Sequence, residues 1–125
     1  EALGGCKGLT RLDLSDTNVP AEGIERLAEV LGECKALTHL NLIRNGIGDD
    51  GAGQLSRALE KCRGLTRLDL CCNEIGADGV GQLAGLLGKF KTLARLELAD
   101  NELFDEGAER LAGVLGECKA LAHLD

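Results

Sequence analysis

The sequence predicts an α/β chain wound as a right-handed βα solenoid, an arc with a parallel sheet on its concave side and helices on its convex side. Three observations predict it. Leu9, Leu37, Leu65, Leu93 and Leu121 recur at one phase, and the residues after them match as LTRLDLSDTNV, LTHLNLIRNGI, LTRLDLCCNEI, LARLELADNEL and a shortened LAHLD. Apolar and polar residues alternate with period two in the first half of each copy, then change to helical spacing in the second. The apolar content is nearly all leucine, valine, isoleucine and alanine, with 2% aromatic residues and 18 glycines. A core of one side-chain shape at fixed places indicates repetition rather than an irregular globule.

In order along the chain, the first strand is expected around Leu12-Asp13-Leu14, with its leucines on one face. The helix after it is read from Ile24, Leu27 and Leu31. The second coil repeats this with Leu40-Asn41-Leu42 and then Ala52, Leu55 and Leu59, and the third with Leu68-Asp69-Leu70 and then Val80, Leu83 and Leu87. The fourth gives Leu96-Glu97-Leu98 and then Ala108, Leu111 and Leu115. Acidic Glu22, Asp50, Asp78 and Glu106 stand at the helix amino ends, and basic Lys35, Arg63, Lys91 and Lys119 just past the carboxyl ends, signs that suit the helix dipole. Gly23, Gly51, Gly79 and Gly107 recur in the first helical turn, where glycine normally costs roughly 1 kcal/mol; close backbone approach between turns is the expected reason. Consecutive strands joined by helices run parallel with right-handed crossovers. Strands stack about 4.8 Å apart and helices about 8–10 Å apart, so the stack bends with the sheet inside.

This pattern, LxxLxLxxNxL followed by a helix with a period of 28, resembles the leucine-rich repeat family in its ribonuclease-inhibitor type, over essentially the whole chain. The single array is expected over residues 1–125: four repeats starting at Leu9, Leu37, Leu65 and Leu93 plus partial repeats at both ends, a slice of something longer. Its uncovered end layers are expected to associate through Leu12, Leu14, Leu121 and Leu124. The resemblance implies that Asn45, Asn73 and Asn101 bind backbone groups of adjacent coils, and that the chain works by protein interaction. Thr17 departs from the asparagine phase, with Asn18 one place late, and that coil, which also holds Pro20, is expected to be locally irregular.

A net charge of −7 disfavours nucleic acid or an anionic membrane as partner, since both need a basic surface; a protein with a basic surface is the natural complement. There is no apolar run long enough to span a membrane. Six cysteines in a leucine-rich chain fit a reducing compartment better than a disulfide framework, which makes the cytoplasm the expected location. Cys6, Cys34, Cys62 and Cys118 share a phase that Phe90 fills in the fourth copy, so the slot reads as apolar packing. Disulfides there are not expected, because helix-side spacing should exceed the roughly 7 Å limit for bridged Cα atoms.

Cys71 and Cys72 stand at variable positions where other copies have Ser15-Asp16, Ile43-Arg44 and Ala99-Asp100. Adjacent cysteines without further ligands do not make a tetrahedral metal site. His39 and His123 fall in the column of Arg11, Arg67 and Arg95, with no nucleophile beside them. No phosphate-cradling glycine loop is present. Neither catalysis nor a cofactor or metal is expected. Asp13, Asp69, Glu97 and Asp125 form a carboxylate column beside the arginines, read as a compensating surface ladder.

The expected contact face therefore comprises Arg11, Asp13, Asp16, His39, Asn41, Ile43, Arg44, Arg67, Asp69, Cys71, Cys72, Arg95, Glu97, Ala99 and Asp100, a curved, acidic, preformed surface. Ile43, Cys71, Cys72 and Ala99 make an apolar stripe rimmed by Asp16, Arg44 and Asp100, the composition of an interface centre. Two other functions are compatible with the resemblance: an architectural subunit of a large assembly, and a GTPase-activator-like regulator similar to Ran GTPase-activating protein. The latter would need a placed arginine, for which Arg44 is the candidate.

Overall fold

The computed structural model describes residues 8–18, 21–115 and 123–124, and in it every strand pairs with the strand of the next coil. The order is β1 (Arg11–Asp13), α1 (Ala21–Leu31), β2 (His39–Asn41), α2 (Gly48–Leu59), β3 (Arg67–Asp69), α3 (Ala77–Leu87), β4 (Arg95–Glu97), α4 (Phe104–Leu115) and β5 (His123–Leu124). The strands form one parallel sheet in the order β1-β2-β3-β4-β5. Leu12 sits opposite Leu40, Leu40 opposite Leu68, Leu68 opposite Leu96 and Leu96 opposite Leu124, so the sequence period is also the pairing register. A one-residue slip would turn every strand leucine outward.

Leucines fill the space between sheet and helices. Leu40, Leu42, Leu68, Leu70, Leu96 and Leu98 are buried from the strand side, and Ile24, Leu27, Leu31, Leu55, Leu59, Leu83 and Leu87 from the helix side. Leu12 and Leu14, in the outermost described strand, are only partly covered. Each helix packs on its neighbours in sequence, α1 on α2, α2 on α3 and α3 on α4, so each coil depends on the coils beside it. Ala108 differs from Ala52 and Val80 in being exposed, because no described element covers the outer side of α4.

The first-turn glycines have a more local reason than expected. A Cβ on Gly51 would stand 2.6 Å from Ile47 Cγ2, on Gly79 2.8 Å from Ile75 Cγ2, and on Gly107 2.9 Å from Leu103 Cβ. The apolar residue four places earlier fills the glycine's place, as a staple across the start of the helix. The neighbouring coil is also close at Gly79, where Asp49 Cα would lie 3.1 Å away, and at Gly107, where Ala77 Cα would lie 3.5 Å away.

The cysteine column corrects another expectation. Cys62 is buried among leucines, as the exchange with Phe90 suggested, but Cys34 is disulfide-bonded. Cys62, Cys71 and Cys72 carry free thiols. Helix spacing is the wrong ruler here, because the column stands past the helix carboxyl ends at Leu31 and Leu59. There Cys62 Sγ donates to Leu31 O at 3.1 Å and lies 3.8 Å from Cys34 O, both in the coil before. Cys6, Cys118, Pro20, Lys119, Leu121 and Asp125 fall outside the described residues, and of the two partial end repeats only Gly8 and β5 are described. Among the described residues no helix is long and apolar enough to cross a membrane.

Candidate concave interaction face

The pleat carries the outward strand residues onto the concave side in rows. Arg11, His39, Arg67 and Arg95 form one row and Asp13, Asn41, Asp69 and Glu97 the next, each residue opposite its counterpart in the following strand. Pairing continues past the strands: Asp16 N–H donates to Ile43 O at 2.9 Å, Arg44 N–H to Cys71 O at 3.0 Å and Cys72 N–H to Ala99 O at 3.0 Å. Ser15, Ile43, Cys71 and Ala99 thus make a third row. The expected contact residues in these rows share one face of the sheet, and Asp16, Arg44, Cys72 and Asp100 stand at its edge.

Cys72 does not join that apolar row. It belongs with Asp16, Arg44 and Asp100, and all four have left-handed backbone, with φ of 57, 58, 59 and 59°. Every coil turns away from the sheet at this residue. Aspartate tolerates such a conformation better than arginine or cysteine does. Asn18, Gly46 and Glu74 are left-handed one turn later, at 51, 64 and 61°, which gives Asn18 its role: it serves the turn, and does not substitute for the missing ladder asparagine.

The ladder itself stands behind this turn. Asn45 Nδ2 donates to Leu14 O of the previous coil and to Leu42 O of its own, both at 3.0 Å. Asn73 Nδ2 reaches back to Leu42 O at 2.8 Å, and its Oδ1 accepts Asn45 N–H at 2.8 Å. Asn101 Nδ2 reaches back to Leu70 O at 2.9 Å, and its Oδ1 accepts Asn73 N–H at 2.9 Å. Thr17 has a shorter reach: its N–H donates to Asn45 Oδ1 at 3.1 Å, and its hydroxyl lies 2.7 Å from Leu14 O. The asparagines hold the outward-facing rows at fixed spacing, which is how the scaffold positions the face.

Charge on the face is largely paired within it. Arg44 binds Asp16 at 3.3 Å, Arg67 binds Asp69 at 3.0 Å and Glu97 at 3.6 Å, and Arg95 binds Glu97 at 3.5 Å. Four arginines therefore face five carboxylates, and most of the chain's excess negative charge lies elsewhere. Asp69 breaks the expectation of a solvated ladder: it is only 3% exposed. Arg44, the arginine considered for a GTPase-activating role, is held by Asp16.

The Cys71 thiol is not activated. Burial pushes the Cys71 thiol up, and the nearby Glu97 and Asp69 carboxylates add to this against a backbone hydrogen bond with Ala99. A thiol held protonated is a poor nucleophile and a poor metal ligand. Among the described residues no group of three or more histidine, cysteine or acidic side chains is placed to hold a metal ion.

Two features escape a reading of the repeat. Asp49 Oδ1 accepts the N–H groups of Gly76 at 2.6 Å and Gly79 at 3.0 Å, so one coil's aspartate caps the helix of the next. Its signal was the doubled acid in "GDD", at a phase where the first and third coils have Ala21 and Ala77. Phe104 is 80% exposed with φ of 53°, at a phase held by Gly48 and Gly76; an aromatic there was the visible anomaly.

The sequence description Leucine Rich repeat matches residues 5–28, 33–56, 61–84 and 91–112. Among solved structures the chain is similar to "Leiomodin-1 Actin-Binding Site 2 (ABS2)", with 20% identity, a TM-score of 0.84, and coverage of 93% of this chain and 69% of that one. A search of curated proteins found no match.

Proposed function

The chain belongs to the leucine-rich repeat family, and we propose that it is a non-catalytic scaffold which binds another protein on its concave face. The observation that carries this is the row Ile43, Cys71, Ala99: half-buried apolar side chains held at strand spacing, with a charged row on each side. Ordering such a face before binding removes much of the entropy loss that a flexible surface would suffer. The 28-residue register and full α-helices in each coil favour the ribonuclease-inhibitor type.

Because the concave charges are paired, the acidity of the whole chain acts mainly on approach, favouring a partner with a basic surface. Contact itself is set by the apolar row and by groups that can exchange with the internal ion pairs. A cytoplasmic location belongs to the same reading on the free thiols of Cys62, Cys71 and Cys72. The disulfide at Cys34 argues the other way, and trapping of reduced and oxidised thiols in the native cell decides it.

The test places a photo-crosslinking residue at position 43 or 71 and, as comparison, at 57 or 85 on the helical side. Partners captured by the concave positions and lost on Ile43→Asp and Cys71→Asp support the reading. Capture only from the helical positions would move the interface and favour an architectural role. Actin, named for the leiomodin-1 segment, is the first protein to put through this assay.

A further inference from the structure

We infer that the edge of the arc where the strands hand over to the helices is a second contact surface, which takes a basic protein segment and seats one of its arginines on the ring of Phe104. This goes beyond the concave reading and does not depend on it. Among the described residues Phe104 is the one large apolar side chain that stands exposed, at 80%. Its backbone is left-handed as well, with φ of 53°, a conformation that a bulky side chain adopts only at a cost. Exposure and strain are both unfavourable to the chain by itself, and a residue held in this way points to a use outside the fold.

The exposure is not an effect of standing in the last full coil described. Gly48 has the same place in the second coil and the same left-handed backbone, with φ of 67°. The following coil is in position there, since Gly48 N–H donates to Asn73 O at 2.8 Å, and α1 and α3 both pack on α2. A Cβ built on Gly48 still meets nothing within 4 Å. At this phase a left-handed residue therefore aims its side chain away from the stack even with coils on both sides.

The charges around Phe104 select the occupant. Residues 45–56, 73–84 and 101–110, which turn from sheet to helix in three successive coils, carry eight carboxylates and a single cation, Arg110. Arg110 binds Glu106 at 2.8 Å and Asp78 at 3.5 Å, and Asp49 caps α3. Asp50, Glu74, Glu102, Asp105 and Glu109 are exposed without a basic partner among the described residues. Glu102 and Asp105 flank Phe104 closely in the chain, and Glu102 N–H donates to Ile75 O at 2.9 Å, which brings the turn of Glu74 alongside. On the concave face arginines offset the carboxylates; on this edge most carboxylates have no such partner. A guanidinium fits both features at once, because its flat side lies on an aromatic face while its N–H edge reaches carboxylates around the ring. Several uncompensated carboxylates favour a segment with more than one basic residue, attracted over about 8 Å in physiological salt.

The experiment titrates the full chain with a peptide of three arginines alternating with glycine, blocked at both ends, and follows the Phe104 ring by NMR. The chain has no tyrosine or tryptophan and two phenylalanines, so the ring signals are resolved. The analogue with norleucine in place of arginine runs alongside. Expected are a saturable shift of the Phe104 ring signals, an upfield shift of the arginine δ-methylene that marks stacking, and binding at least threefold weaker when salt rises from about 50 to 200 mM. Phe104→Gly gives this coil the residue of Gly48 and Gly76, so it should raise the urea midpoint while weakening the arginine peptide at least twofold. Equal binding by the norleucine analogue, or arginine binding indifferent to Phe104→Gly, would overturn the inference. A lower urea midpoint for Phe104→Gly would do the same, because the ring would then be packing on its own chain. Ile43→Asp should leave peptide binding unchanged; a loss would put the peptide on the concave face and overturn this edge. Peptide binding that persists where capture at positions 43 and 71 fails would remove the concave reading alone, and the reverse would remove this one alone.

Discussion

Residues 9–14 and 65–70 are the same six letters, LTRLDL, in two places of one sheet. In the first copy Arg11 and Asp13 are exposed and Leu12 is half-covered; in the second, Leu68 and Asp69 are buried. The β1 strand pairs on one side among the described residues, whereas β3 pairs on both. Asp13 bonds forward to Ser15, and Asp69 bonds backward to Arg67. Identical segments thus acquire different burial and different partners. The cause lies in the flanking coils and in one later side chain, a serine hydroxyl that donates well against a cysteine thiol that donates weakly.

The largest expected effect tests the packing half of this contrast. Leu68→Ala should destabilise the chain by about 2–5 kcal/mol, because its site is closed on all sides, and Leu12→Ala by about half as much or less. Urea midpoints of the two variants decide it; equal losses would mean that the flanking coil contributes little. The ladder comes next. Asn73→Ala removes the bonds to Leu42 O and from Asn45 N–H and should cost about 1–3 kcal/mol, more than Thr17→Ala, again read from denaturation. Third are the two arginines. Arg67→Ala withdraws the one partner of a buried carboxylate, about 1–2 kcal/mol after allowance for the arginine's own exposure, while Arg11→Ala should stay within about 0.5 kcal/mol.

The smallest effect concerns pH. The Ser15 N–H, and after it the Ser15 hydroxyl, hold the Asp13 carboxyl below its ordinary 3.8. A depressed carboxyl contributes stability that is complete above that ordinary value and is lost as the pH falls through the folded one. Ser15→Ala should remove the hydroxyl bond and move the Asp13 midpoint towards 3.8, visible in a carboxyl carbon titration. The complementary change, Cys71→Ser, gives Asp69 the donor that Asp13 has. It should draw that carboxylate away from Arg67, which a change in the Asp69 carboxyl carbon chemical shift at neutral pH detects.

The fold was legible because leucine phase determines both the buried face and the pairing register, and nothing else satisfies a constant period of 28 with both spacings. The membership of the concave face was legible for the same reason. What the letters did not show depends on neighbours or on backbone angle. Asp69 looks like Asp13 until the sheet is assembled around it. Cys72 looks like an extension of the apolar row until its left-handed φ puts it among the charges. Asp49 acts on a helix 27 residues ahead, and the Cys34 bond lies past the helix end, where helix spacing does not apply.

The asparagine ladder gives the array a polarity. Each amide reaches to the coil before it, so a fault at Asn73 loosens the turn around Asn45 rather than the one around Asn101. Damage should accordingly spread towards the amino terminus, and protection of backbone amides from solvent exchange should fall off unevenly on the two sides of any broken rung. A stack built this way resembles shingles more than coins: each piece is fastened by the next one laid, and the order of laying sets the order in which the pieces come loose.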